Sequence, residues 1–320
     1  MQEHEDQDNA AYVRRVHDKG LRFDLRTMSR RRLLTALGGA GALALVGGAA
    51  ACSSTTTAEA ETTTSTATAT TVATGEVESE TAGPYPADGS NGPDVRTLDG
   101  IVRKDIRSSF GDASGTAEGV PLEFSLVIKD LAGAAVTGAA VYAWHCDRDG
   151  NYSLYSTGIT DQNYLRGIQE TDNTGTVTFT SIFPACYSGR WPHIHFEVYS
   201  TLENATSGDG PIVKTSQIAI PEEVADAVYA TDGYSKSVTN LSQVTLASDN
   251  VFGDDSAATE LASVTGSVTA GCKARLAIAI DRSGEETGGG DAPAVGDAPA
   301  VGDAPAAGGG TPPSGGAPPA

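Results

Sequence analysis

The chain has 320 residues and four cysteines, and its 41 acidic and 21 basic side chains give it a net charge of −20. So acidic a protein should repel nucleic acid and anionic lipid surfaces, which excludes both as expected ligands. The two ends differ in composition from the middle, so we expect one folded domain between two unstructured ends.

Residues 1–52 are typical of an export signal. The twin-arginine motif Ser29-Arg30-Arg31-Arg32-Leu33-Leu34 is followed by an apolar run, Leu33 to Ala51, that is diluted by glycine. This pattern favours a twin-arginine signal peptide over a membrane helix, and hence an extracellular or cell-surface protein. Met28 stands directly before the motif and is an alternative start to Met1.

The apolar run ends in Ala49-Ala50-Ala51-Cys52, which resembles a lipoprotein processing site. We expect Cys52 to carry a lipid that tethers the protein to a membrane. Cleavage at an Ala-x-Ala site, with full release of the protein, is the alternative.

Two segments cannot bury a core. Residues 53–79 are rich in Thr, Ser and Ala, which predicts a disordered linker. Residues 283–320 contain tandem Gly-Asp-Ala-Pro-Ala-Val repeats beginning at Gly290 and Gly296, which predict a flexible tail.

The remaining residues, 80–282, carry β signals. Short runs rich in β-branched and aromatic residues alternate with Gly, Asp, Asn and Pro. We therefore predict an all-β domain: a β-sandwich of short, mostly antiparallel strands with long loops and at most one or two short helices. The predicted strands cover residues 120–128, 139–144, 177–182, 193–199, 215–220 and 274–280, and Pro221 to Tyr229 is predicted to be a helix.

A pair of histidines stands out within one predicted strand. His193 and His195 are two residues apart, so their imidazoles should point to the same face. Such a pair is half of a metal site, although two hydrogen-bonded histidines on a half-buried strand would show the same spacing.

Several stretches in order resemble the intradiol ring-cleavage dioxygenases, and most closely the secreted members of that family. They are Glu80-Thr81-Ala82-Gly83-Pro84-Tyr85, the run from Trp144 to Ser153, the run from Tyr164 to Asp172, and the run from Phe183 to Val198. The resemblance extends from about Glu80 to about Asp255 and implies the same β-sandwich, without the helical N-terminal dimerisation segment of the family.

The resemblance implies one non-haem Fe(III) per chain. Its ligands would be Tyr152, Tyr187, His193 and His195. Phenolate is a hard anionic donor that favours Fe(III), and imidazole completes the set. The expected reaction is cleavage of a catechol by O₂ between its two hydroxylated carbons, which gives a cis,cis-muconate.

The same resemblance assigns other residues to the substrate. Arg190 would stabilise negative charge on the ring, Tyr187 would also act as a base, and Gln217 would lie beside the substrate. Tyr85 is a candidate substrate contact, and Tyr164 and Arg166 are candidates for shaping the pocket. His145 is expected to be structural.

One departure from the family pattern concerns the segment between Tyr187 and His193. It has only five residues, whereas catabolic intradiol enzymes carry a longer insert there. A shorter loop implies an open pocket and broad acceptance of substituted catechols.

The iron ligation implied by the family also predicts a disulfide. If Tyr152 and Tyr187 bind one ion, their segments approach, and Cys146 and Cys186 come close together. An exported protein offers the oxidising setting that such a bond needs, and Cys272 would remain a thiol.

Two other classes of function stay open on the sequence alone. One is a non-catalytic, lipid-tethered β-sandwich binding module in which the histidines are structural. The other is a hydrolase or a metal-storage domain that uses a different ion. Two tyrosine ligands argue against zinc, and the chain has no nucleophile-elbow signature of an esterase.

Overall fold

A computed structural model describes residues 75–286. The predicted export signal, the lipidation site at Cys52, most of the predicted linker and the repeats of the tail lie outside these residues. No helix within the described range has the length and apolar character needed to cross a membrane.

Eight strands and three α-helices form within residues 75–286. The strands are β1 Pro121–Asp130, β2 Ala140–Trp144, β3 Arg166–Glu170, β4 Thr176–Ile182, β5 His193–Tyr199, β6 Ile212–Ala219, β7 Ser263–Ser267 and β8 Gly271–Ile280. The helices are α1 Leu202–Thr206, α2 Glu222–Tyr229 and α3 Ser235–Leu241, and a 3-10 turn covers Leu246–Ser248.

The strands build two four-stranded sheets, with the orders β4-β1-β8-β7 and β3-β2-β5-β6. All pairings between these strands are antiparallel except that of β1 with β8, which is parallel. The predicted all-β, mostly antiparallel architecture is therefore confirmed.

The core lies between the two sheets and follows from the alternation of the strands. On β1, Leu122, Phe124, Leu126 and Ile128 point inward and are buried. They share one apolar cluster with side chains of the other sheet, among them Phe196 on β5. The two sheets thus pack as a sandwich.

Strand β5 is buried along its whole length because both of its faces are covered. Ile194, Phe196 and Val198 belong to the core between the sheets. Its alternate residues point to the opposite face, where the loops and the N-terminal segment form a second apolar cluster that includes Tyr199. His193 and His195 lie on this second face.

Three short helices lie within residues 75–286, one more than the one or two that were expected. The helix predicted from Pro221 is α2, but α1 and α3 were not expected. Helix α3 has no side-chain cap at its start. It is held by tertiary contacts instead: Ser237 Oγ accepts from the Cys186 amide at 3.0 Å, and Asn240 donates to the Cys186 carbonyl at 2.8 Å.

Candidate metal centre

The two histidines of β5 meet on one face, as their spacing predicts. Their Nε2 atoms are 3.1 Å apart, and both side chains are buried. Trp144 of the neighbouring strand lies flat against His195, with ring centroids 5.0 Å apart and planes 2° from parallel. Trp144 is a packing partner that the sequence pattern did not reveal.

Two tyrosines from separate loops complete a four-membered cluster. Tyr152 lies in the β2–β3 connection and Tyr187 in the β4–β5 connection. Their hydroxyl oxygens are 3.5 Å and 3.3 Å from His193 Nε2. The structure thus brings together all four side chains that were predicted to bind iron.

The loop that carries Tyr152 is shaped by a turn. Asp147 Oδ1 accepts hydrogen bonds from the Asp149 and Asn151 amides, each at 2.9 Å. Gly150 follows with φ +86°, and a Cβ there would lie 3.1 Å from the Cβ of Tyr187. Glycine at this position therefore allows the two tyrosine loops to approach each other.

Residues 80–87, which we term the N-terminal strap, cover the histidines. Gly83 has φ +71°, and a Cβ there would come within 3.2 Å of His195 Cε1. The Tyr85 ring lies 4.8 Å from the ring of Tyr152, between centroids. Tyr85 therefore packs against a predicted ligand, and its contact with a substrate stays a prediction.

Burial sets the protonation of the cluster. It lowers the pKa of both His193 and His195 well below the ordinary value, so both rings are neutral. His193 Nδ1 is 2.5 Å from the carbonyl oxygen of Trp191. Because a carbonyl oxygen can only accept, Nδ1 must carry the proton and donate it, and Nε2 of the neutral ring keeps its lone pair. Burial also raises the pKa of Tyr152 well above its usual value, so its phenolate needs a cation beside it.

These residues fit a hard trivalent ion. Two neutral imidazoles and two phenols converge in a buried space, and phenolate oxygens together with imidazole nitrogens are donors that would suit Fe(III). No group of three His, Cys, Asp or Glu side chains suited to a metal occurs between residues 75 and 286. Two of the four candidate donors are tyrosine oxygens. Zinc is usually bound by Cys, His, Asp or Glu, so this set disfavours zinc.

Arg190 lies beside the cluster in a fixed orientation. Its Nε donates to Asp249 Oδ2 at 3.0 Å, and one terminal nitrogen donates to Gln217 Oε1 at 2.7 Å. The guanidinium carbon is 5.8 Å from the centroid of the Phe252 ring. Asp249 and Phe252 were not singled out in the sequence, since they lie more than fifty residues after Arg190 in a loop without a motif.

Gln217 sits opposite His195 in the β5–β6 register. Its Nε2 donates to the Thr81 carbonyl of the N-terminal strap at 2.8 Å, while its Oε1 accepts from Arg190. Both ends of the amide are thus engaged with protein groups. The predicted contact between Gln217 and a substrate is untested.

His145 has the structural role that was predicted. Its Nε2 is 2.7 Å from Ser181 Oγ and its Nδ1 is 2.8 Å from the Cys146 carbonyl. It therefore connects the two sheets and takes no part in the four-membered cluster.

The predicted Cys146–Cys186 disulfide is not present. Cys146, Cys186 and Cys272 are all free, buried thiols. Cys146 Sγ points to the Ala185 carbonyl at 3.6 Å, and Cys186 Sγ points to the Arg190 carbonyl at 3.3 Å. The segments do approach each other, but the two side chains enter different apolar clusters, so their sulfur atoms do not meet.

A sequence model of the dioxygenase family, described as "Dioxygenase", matches residues 91–202, which include all four side chains of the cluster and Arg190. This segment is therefore similar to the dioxygenase family, in agreement with the resemblance of its motifs to the intradiol ring-cleavage dioxygenases. The chain is 38% identical to a chlorocatechol 1,2-dioxygenase of Rhodococcus opacus over 66 residues, which are 21% of this chain. The match spans 26%, or about a quarter, of that curated relative.

Solved structures show the same fold. An intradiol ring-cleavage dioxygenase from Tetranychus urticae superimposes on this chain with a TM-score of 0.53 at 23% identity. The superposition covers 66% of this chain and 97% of that one. A second dioxygenase structure gives a TM-score of 0.52 at 22% identity, with the same coverage.

Proposed function

We propose that this domain is a non-haem Fe(III) intradiol dioxygenase, with one iron per chain, that cleaves catechols with O₂ to cis,cis-muconate-type products. The observation that carries the proposal is the convergence of Tyr152, Tyr187, His193 and His195 within the segment that matches the dioxygenase family model. When bound, Fe(III) would supply a Lewis acid and a template for the two catechol oxygens.

The two tyrosines differ in their surroundings, and this supports different roles. Tyr152 is fully buried, whereas Tyr187 is only partly buried. An incoming catechol must lose two protons to bind as a dianion. Tyr187 is the more accessible of the two side chains, so its phenolate, formed when the iron is bound, would be the better placed to receive one of them, and the other proton would pass to solvent.

Arg190 would act on the ring of the bound catechol. Its guanidinium is buried and is held by both Asp249 and Gln217. A cation that is fixed before the reaction stabilises negative charge on the ring without any cost of reorganisation. Asp249 and Gln217 are thus positioning residues in this proposal.

The reaction is tested by loading the full chain with iron and supplying catechol, 4-methylcatechol, hydroxyquinol and protocatechuate in turn. We expect O₂ uptake and cis,cis-muconates, with catalytic efficiencies within about 200-fold for the first two, because one added carbon group changes transition-state binding by only about 1–3 kcal/mol. A yellow semialdehyde would show extradiol cleavage and contradict the proposal. Bound iron without O₂ uptake would instead indicate the non-catalytic binding module.

We propose further that the chain is exported through its twin-arginine motif and tethered by a lipid on Cys52, which rests on the sequence pattern at residues 29–52. Replacing Arg30 and Arg31 together with lysine should retain the protein in the cytoplasm. Cys52→Ala should release the exported protein from the membrane fraction. Cell fractionation checks both, and an unchanged membrane fraction in Cys52→Ala would mean that the apolar run itself is the anchor.

A further inference from the structure

Arg166 is a buried cation at the start of β3. Its side chain is 1% exposed. Within residues 75–286 no carboxylate lies at salt-bridge distance from it; its polar contacts are all to neutral oxygen atoms. Burying a guanidinium without a counter-ion costs free energy, which the protein must offset by other contacts.

All but one of the contacts of Arg166 go to two segments of the chain, and the remaining one goes to Tyr142 on β2. In the loop after β2, its Nε donates to Ser153 Oγ at 3.1 Å and a terminal nitrogen donates to the Ser153 carbonyl at 3.0 Å. The other terminal nitrogen reaches the N-terminal strap, at the carbonyls of Tyr85 and Pro86, 2.9 Å and 3.1 Å away. That nitrogen also donates to Tyr142 Oη at 3.2 Å.

Both segments bear directly on Tyr152. Ser153 is its neighbour in the chain, and Tyr85 of the strap packs on its ring. A further contact joins the same two segments, since the Ala87 amide donates to Tyr155 Oη at 2.9 Å. The Tyr155 ring in turn lies 5.5 Å from the Arg166 guanidinium.

We propose that Arg166 is a positioning residue that fixes the orientation of Tyr152 by holding both the loop that carries this tyrosine and the strap that covers its ring. The inference rests on the proposed function, in which Tyr152 binds Fe(III). Arginine suits the task because its planar group directs five donors along fixed directions, whereas the three donors of lysine radiate from one atom.

The first test uses the metal-free full chain and the variant Arg166→Lys. Amide hydrogen exchange at Ala87, Tyr155 and Ser156 should become at least about tenfold faster, because an opening free energy lower by about 1.4 kcal/mol has that effect. The matched control is Arg103→Lys. Arg103 also donates to backbone carbonyls, those of Asn163, Ser108 and Arg166, but it contacts neither the strap nor Ser153.

The control should leave exchange at these three amides within about twofold of the wild type, because Arg103 contacts neither the strap nor Ser153. Equal exchange in Arg166→Lys and the wild type would overturn the inference. Equal acceleration of amide exchange in Arg166→Lys and Arg103→Lys would also overturn it, because the effect would then reflect a general loss of stability of the domain. This arm needs neither iron nor substrate, so it gives an answer even if the proposed dioxygenase activity is not found.

The second test uses the iron-loaded protein. Arg166→Lys should retain iron, shift the tyrosinate-to-iron absorption band and lower kcat by up to about 10²-fold, the loss expected when a reacting group is displaced by about 1 Å. Arg103→Lys should leave the band in place. An unshifted band in Arg166→Lys would contradict the inference.

Arg166→Lys could fail to fold, so a milder variant completes the design. Tyr142→Phe removes one acceptor of Arg166 and the hydrogen bond from Tyr142 to the Pro86 carbonyl, while keeping the ring in the core. It should accelerate exchange at Ala87 and shift the band in the same direction, to a smaller extent. No change in either measurement would overturn the inference.

Discussion

Replacing His193 with alanine should remove most of the bound iron and, with it, ring cleavage. His193 Nε2 lies within 3.5 Å of the donor atoms of all three other members of the cluster, so it would be the central ligand of the proposed iron. Tyr152→Phe should have a similar effect, because it deletes a buried oxygen donor without changing the packing of the ring. Metal analysis and the visible charge-transfer band of the purified proteins measure both effects.

The matched control for this prediction is His145→Gln. His145 is an equally buried histidine that contacts Ser181 and a backbone carbonyl instead of the cluster. The variant should lose stability but keep its iron and colour. Full iron content and an unchanged band in both His193→Ala and Tyr152→Phe would show that the metal binds elsewhere.

Arg190→Ala should lower kcat by about 10²–10³-fold while iron stays bound, by analogy with the loss of one oxyanion-hole donor. The reason is the position of its guanidinium, which is buried beside the cluster and does not belong to it. Asp249→Asn should act in the same direction with a smaller effect, because Gln217 still holds the guanidinium. Steady-state kinetics at saturating catechol and O₂ measure these losses.

A control arginine is available on the surface. Arg107 forms an exposed pair with Asp105, and such pairs contribute little to stability, so Arg107→Ala should leave kcat unchanged. If kcat of Arg190→Ala stayed within about twofold of the wild type with iron bound, Arg190 would have no part in the chemistry.

The four cluster residues could be predicted because the determining signals are local. The spacing of His193 and His195 fixes their common face on β5, and the family motifs locate Tyr152 and Tyr187. The same holds for β1, β2, β4 and β8, whose apolar or alternating runs are visible in the sequence. Strands β3 and β7 were not predicted, since Arg166–Glu170 and Ser263–Ser267 are short and largely polar, contain glycine and lie at sheet edges.

The support of the site could not be predicted, because it depends on contacts between distant segments. Asp249 reaches Arg190 from a loop without any periodic pattern, and Arg166 joins segments some 80 and 13 residues away. The disulfide prediction failed for a related reason. Proximity of two backbone segments was inferred correctly, but the direction of each Cβ was not available from the sequence.

The parallel pairing of β1 with β8 has a consequence for the folding of the domain during its synthesis. Leu122 pairs with Cys272, about 150 residues later, so β8 fills the position between β1 and β7 only after nearly the whole domain has been synthesised. All four cluster residues are made well before that strand. Until it arrives, β1 has an unpaired edge that is open to other chains, and closing so long a loop slows folding. We therefore expect the nascent domain to be prone to aggregation during the interval in which its four cluster residues have been synthesised and β8 has not.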